Sequence, residues 1–282
     1  MTIVEAIILG LVQGLTEFLP VSSSAHLTLA GKLMGLISPE HPETWTSWIA
    51  VMQLGTLLAV LLYFAQDIHR IGQAFFTENL ARTSFHAQSQ DSKFGWYVII
   101  GTLPIVIFGL LFKNAIESAL TKDATLIAGA LIVFALILEA AERLGKRTRT
   151  AADVTWRDAV WMGLAQALAL FPGASRSGTT ITAGLFCGLQ REVAARFSFL
   201  LSIPAVFASG MLQLRTVLGS SATFQGSDIL TLGVATLVAG VSGYASIAFL
   251  LKFLQTRTTT IFVVYRIMLG IGILTFFKHF FA

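Results

Sequence analysis

The sequence predicts an all-α polytopic membrane protein, with about six transmembrane helices and two re-entrant helical hairpins in an inverted-topology repeat. Three observations carry that prediction. Composition is the first: 55% of the 282 residues are hydrophobic and 12% are charged, with a mean hydropathy of +0.77. A soluble domain carries roughly 25% charge. The second is a set of long charge-free runs, each near the roughly 20 residues a helix needs to cross hydrocarbon. The third is an internal repeat. Shifting the chain by 153 residues lays 163–184, GLAQALALFPGASRSGTTITAG, beneath 10–31, GLVQGLTEFLPVSSSAHLTLAG, without a gap. Gly10, Leu11, Gln13, Leu15, Phe18, Ser22, Ser24, Ala30 and Gly31 recur as Gly163, Leu164, Gln166, Leu168, Phe171, Ser175, Ser177, Ala183 and Gly184.

In chain order, 10–31 is the first hairpin: an apolar helix, a break at Pro20, hydroxyl-rich sequence, then a second apolar helix. Spans follow at 45–65, 94–112 and 124–138, the last extending through 139–141. The second hairpin, 163–184, breaks at Pro172. Further spans lie at 197–214, 229–251 and 258–277, the last interrupted by Arg266. Proline removes a rung of the helical ladder, so the freed backbone groups need partners or water. Both hairpins are therefore expected to enter and leave the membrane on the same side. No linker divides the chain, so 1–282 reads as a single integral membrane domain, with 77–92 a polar cytoplasmic loop. The start lacks the basic region of a signal peptide. The lone Cys187 excludes an intrachain disulfide and argues against cysteine metal sites.

Loop charges orient the chain. With 142–158 in the cytoplasm, the inner loops hold Arg70, Arg82, Lys93, Arg143, Lys146, Arg147, Arg149, Arg157, Arg191, Arg196, Lys252 and Arg257. The outer side holds Lys113, Lys122, Arg215 and Lys278, and Lys32, Arg176 and Arg266 sit within apolar segments. That bias satisfies the positive-inside rule. It accounts for the net charge of +4 without a nucleic-acid partner. It also puts the first hairpin outside and the second inside, so that their tips meet near the midplane. Trp45, Trp48, Trp96, Trp156 and Trp161 fall near span ends and read as interface anchors.

The chemistry is concentrated in the hairpins. Gln13 and Glu17 are four apart and share a helix face. An acid in the membrane is functional by default, as a cation ligand or proton carrier. Ser22, Ser23, Ser24 and His26 follow Pro20, and the three-residue spacing of Ser23 and His26 brings hydroxyl and imidazole together on a helix. At least one of these serines is expected to cap the helix after Pro20. In the twin, Pro172-Gly173 turns the chain, and Ser175, Arg176, Ser177, Gly178, Thr179 and Thr180 open a helix. Helix-start amides and hydroxyls favour an anion, and Arg176 can grip two phosphate oxygens. Together the hairpins suit phosphoryl chemistry, where positioning and charge neutralisation dominate.

Gln13-Gly-Leu-Thr-Glu17 resembles the (E/Q)-x-x-x-E motif of the undecaprenyl-diphosphatase (bacitracin-resistance protein) family. Residues 172–180, PGASRSGTT, resemble that family's P-G-x-S-R-S-x-x-T at every fixed position. The resemblance implies a phosphatase in the bacterial inner membrane, acting on undecaprenyl diphosphate to recycle the lipid carrier of cell-wall synthesis. It further implies an outward-facing site and a divalent cation, Mg²⁺ or Ca²⁺. Glu17, Ser23, His26 and Arg176 are the expected catalytic residues. Ser22, Ser175, Arg176, Ser177, Gly178 and Thr180 are the expected phosphate-binding ones. Glu17 is the expected metal ligand, with Gln13 a weaker one because an amide brings no charge. The expected partners are a polyprenyl diphosphate, membrane lipids and a second copy in a homodimer. The competing class is a proton-coupled transporter or lipid-phosphate flippase, since inverted hairpins at the midplane are transporter architecture.

Overall fold

The computed structural model describes residues 1–38, 40–219 and 226–277. Their regular structure is helical, apart from one isolated bridge between Arg149 and Leu189. The first hairpin is α1 (Ile3–Glu17) and α2 (Ser23–Leu33). Helices α3 (Pro42–Tyr63), α4 (Ala65–Leu80), α5 (Gln90–Leu111), α6 (Lys113–Glu117) and α7 (Ala124–Leu144) follow. The second hairpin is α8 (Trp156–Leu168) and α9 (Arg176–Phe186). The chain then runs through α10 (Arg191–Gly219), α11 (Gly226–Thr256) and α12 (Thr260–Gly272), which passes into a π-helical turn at Ile273–Phe277. Among these, α3, α5, α7, α10 and α11 are long and apolar enough to span a membrane, and α12 is a shorter apolar helix. The chain is thus an all-α, multi-pass membrane protein. Lys278, counted above with the outer charges, lies outside the described residues.

Each hairpin packs mainly on a helix from the other half of the chain: α1 lies along α11, and α8 along α5. Across the middle α3 meets α10, and α7 meets α12. Lipid tails are as apolar as leucine, so such contacts depend on close backbone approach more than on the hydrophobic effect. The buried face of α1 is Ala6, Leu9, Gly10, Gln13, Gly14 and Glu17, a helical stripe that carries both polar residues inward with the glycines. A Cβ on Gly14 would strike Ser242 and the Ala239 carbonyl of α11, and one on Gly55 of α3 would strike the Thr236 carbonyl.

Side-chain caps and ion pairs finish the helix ends. Thr2 and Glu5 form a reciprocal capping box on α1. At the end predicted to be cytoplasmic, buried Glu142 accepts from Arg147, Arg191 and Thr259, joining α7, its following loop, α10 and α12. Asp158 accepts from both terminal nitrogens of Arg149, at 2.8 and 2.7 Å. Part of the basic loop is therefore neutralised internally.

Two expectations need correction. Trp45 and Trp48 are buried instead of anchoring at an interface, because α2 packs over them and Gly31 leaves room for the Trp45 ring. Trp156 and Trp161 remain exposed. The expected loop 77–92 is loop only in its middle: its first residues finish α4, an amphipathic helix with no buried residue lying against α5, and its last residues begin α5.

The crossings make a paired prediction. Gly55→Ala lowers the thermal unfolding midpoint in detergent, consistent with overpacking costs of about 1–3 kcal/mol. Gly72→Ala in α4, where a Cβ meets nothing within 4 Å, leaves the midpoint unchanged or raises it, alanine gaining about 0.5–1 kcal/mol in a helix.

Candidate functional site

The two hairpin breaks meet. In each, a serine at φ 74° (Ser22) or 72° (Ser175) bends the chain and caps the helix that follows. Ser22 Oγ accepts from the Ala25 amide at 3.4 Å, and Ser175 Oγ from the Gly178 amide at 3.1 Å. The left-handed region costs a residue with a side chain roughly 1–2 kcal/mol, offset here by caps worth about 1 kcal/mol each. Ser177 Oγ then donates across to the Leu19 carbonyl at 3.0 Å, and the Gly173 amide to Ser24 Oγ at 3.5 Å.

Arg266 closes the junction. It is fully buried in α12. Its Nη2 donates to the Gly173 and Ala174 carbonyls at 3.0 Å each, and its Nη1 to the Pro20 carbonyl at 3.5 Å. Those carbonyls belong to the two proline breaks, so one guanidinium serves both. A Cβ on Gly178 would lie 2.8 Å from Nη1, which explains glycine there.

Glu17, the last residue of α1, ties the reactive groups together. Its Oε2 accepts from Ser23 Oγ at 2.6 Å and from Gln13 Nε2 at 2.9 Å. Its Oε1 accepts from Arg176. Glu17, Ser23, Ser24, Ser175 and Arg176 line a cavity of about 400 Å³. Its walls include residues just beyond the prolines inside α5 and α10, Ile105 and Val106 after Pro104 and Ala205 after Pro204. Lys113, Glu117 and Lys122 line it as well. Lys122 lies between α6 and α7, donates to Thr46 Oγ1 at 2.7 Å, and is pushed by burial down to about 8. A carboxylate on a hydroxyl can accept its proton, while the facing guanidinium can hold a dianionic group.

The structure thus brings Gln13, Glu17, Ser23, Ser175 and Arg176 together. Other expected residues are directed elsewhere. His26 does not pair with Ser23, because each side chain turns to a nearer partner. Ser23 reaches back to Glu17, whereas His26 Nδ1 lies 2.7 Å from the Ser22 carbonyl and Nε2 lies 2.6 Å from the Tyr265 hydroxyl. A carbonyl only accepts, so Nδ1 carries a proton, and in the neutral imidazole Nε2 then accepts from Tyr265. Ser22 is fully buried and caps α2. Ser177 and Gly178 do not line the cavity, since their polar groups serve the junction and the cap. Thr180 is fully buried, 2.7 Å from the Arg176 carbonyl and 2.5 Å from Ser198 Oγ. Sequence reasoning missed Tyr265, Ser198 and Lys122. Of these, Tyr265 had a signal, since it adjoins the conspicuous Arg266.

Comparison with known proteins adds the relationship. A family profile described as "Bacitracin resistance protein BacA" matches residues 6–272. A protein of Syntrophobacter fumaroxidans called "Undecaprenyl-diphosphatase" is 55% identical, over 99% of this chain and 99% of that one. Proteins of the same name from Myxococcus xanthus and Mycolicibacterium smegmatis are 49% and 47% identical. These cover 97% of this chain, and 89% and 96% of their own lengths.

Removing the Arg266 guanidinium leaves buried carbonyls without donors, at about 1–3 kcal/mol for each one stranded. Arg266→Met therefore lowers the unfolding midpoint in detergent and opens residues 17–24 and 171–176 to protease. An unchanged melt and digestion pattern would show that the breaks hold themselves.

Proposed function

Because the chain belongs to the bacitracin resistance protein BacA family, we propose that it is a membrane phosphatase for undecaprenyl diphosphate. It releases inorganic phosphate and undecaprenyl phosphate, and so recycles the lipid carrier for cell-wall synthesis. The supporting observation is that Glu17 holds Ser23 on one carboxylate oxygen and Arg176 on the other, at the wall of a cavity. Arg176 leaves Glu17 and pairs with two oxygens of the terminal phosphate. Ser23 Oγ attacks that phosphorus as its proton passes to Glu17. The bond from this phosphorus to the bridging oxygen breaks, and undecaprenyl phosphate departs. Water then displaces phosphate from Ser23, and Glu17 returns the proton to the serine oxygen. His26 is a positioning residue here, holding the Ser22 carbonyl beside the nucleophile.

The residues present fit a divalent cation, Mg²⁺ or Ca²⁺. Gln13 Oε1 is a buried oxygen without a hydrogen-bond partner, next to the Glu17 carboxylate. Among the described residues no three His, Cys, Asp or Glu cluster as a metal cage, yet Mg²⁺ keeps several waters and takes only one or two carboxylates. Bound to Glu17 and Gln13, the ion would neutralise diphosphate charge. Lys113 and Lys122, outer residues by the charge bias, line the cavity and support an opening on the outer side of the bacterial inner membrane.

The test is phosphate release by purified protein in detergent. Arg176→Lys loses roughly a hundred- to a thousandfold in turnover, as removal of one preorganised transition-state contact typically does. Ser23→Ala and Glu17→Gln fall at least as far, while His26→Ala loses less. Near-normal turnover in Ser23→Ala would transfer the attack to water. A pure transporter would release no phosphate at all. Separately, EDTA abolishes activity and added Mg²⁺ or Ca²⁺ restores it; full activity in EDTA rejects the cation.

A further inference from the structure

We propose that the apolar groove bounded by α5, α7, α8 and α9 seats the polyisoprenoid chain of the substrate; this rests on reading the cavity at Glu17 as the diphosphate site. The groove is open along one side and has a volume of about 1070 Å³. It shares Ile116, Thr121, Leu170 and Pro172 with that cavity. One ligand with its head at Arg176 can therefore run its chain past Pro172 and along the groove.

The lining chooses among apolar occupants. Among the described residues no charged side chain lines the groove. Its threonine hydroxyls are satisfied from within. Thr121 donates to the Ile116 and Ser118 carbonyls at 2.9 Å each, Thr179 to the Arg176 carbonyl at 3.1 Å, and Thr182 to the Gly178 carbonyl at 2.7 Å. A hydrocarbon here strands no hydroxyl donor, whereas an unpaired buried polar group costs kilocalories. A membrane phospholipid would find no charge in the groove for its headgroup. The charged anchors adjoining it belong to the cavity, as expected for one molecule with a diphosphate at one end and a long chain at the other.

Two small residues allow the chain to be obstructed. Ala165 on α8 and Ala183 on α9 line the groove. Ala183 lies seven residues beyond Arg176, about 10 Å along the helix at roughly 1.5 Å per residue. Ala165→Phe and Ala183→Phe should therefore leave the head site open and block the path of a long chain. The control is Val241→Phe, on an exposed face of α11 that does not line the groove.

Phosphate release is measured with geranyl, farnesyl and undecaprenyl diphosphates. The groove variants raise KM for the undecaprenyl substrate roughly tenfold or more, in the range that pocket-shape changes give, and shift KM for the geranyl substrate little. Val241→Phe behaves as wild type with all three. An equal change at every chain length, or no change at any, overturns the groove assignment, as does the same length dependence in Val241→Phe. If wild-type protein hydrolyses none of the three, the reading of the cavity itself fails, a distinct result. Folding of the variants is not required for the second arm. A photoreactive group on the third isoprene unit of an undecaprenyl diphosphate analogue labels α8 and α9 of the wild-type protein. Labelling confined to α3 or α11 rejects the proposal.

Discussion

Everything in this molecule depends on two helices broken where water is scarce. A break strands backbone carbonyls, and in hydrocarbon each must find a donor within the protein. The solution is a shared one. Arg266 donates to carbonyls of both breaks, and Ser24 and Ser177 each tie one break to the other. The hairpins are thus held at each other by the same groups that make them tolerable in a membrane. Their junction brings Glu17 of one copy to Arg176 of the other.

That ion pair is poor evidence for stability, because burying two charges forfeits much of what their attraction returns. Its value lies in what a phosphate does to it. An anion offers Arg176 two oxygens in place of one and leaves Glu17 facing a serine hydroxyl already 2.6 Å away. In the proposed reaction, binding and activation of the serine are therefore one rearrangement. A lysine could supply the charge but not the planar fork that grips two oxygens at once.

The sequence was most legible where periodicity and charge bear directly on a membrane. The repeat located both breaks, Pro20 falling within 18–22 and Pro172 within 169–175, and the apolar runs located α3, α5, α7, α10 and α11. The shared face of Gln13 and Glu17 followed from helical spacing alone. Legibility ended where partners were distant or were backbone. Arg266 was conspicuous, but its partners are carbonyls, which leave no signature in a list of side chains. His26 was paired with Ser23 because spacing places them near each other, and spacing knows nothing of Tyr265, 239 residues away. The Ser177 and Thr180 hydroxyls suited an anion in type and position; only packing reveals that Leu19 and Ser198 had claimed them.

The matching backbone bends at Ser22 and Ser175 bear on how such a protein can change over time. The two copies have drifted apart in chemistry: Glu17 stands against Leu170, Ser23 against Arg176, and His26 against Thr179. Yet both keep a serine at the same place with the same unfavourable φ. Duplication freed the reactive positions to specialise, since one acid and one guanidinium suffice for a single centre. It could not free the bends, since each copy still has to turn its chain between two helices. Descendants of this duplication can therefore trade reactive groups between halves far more easily than they can lose either serine.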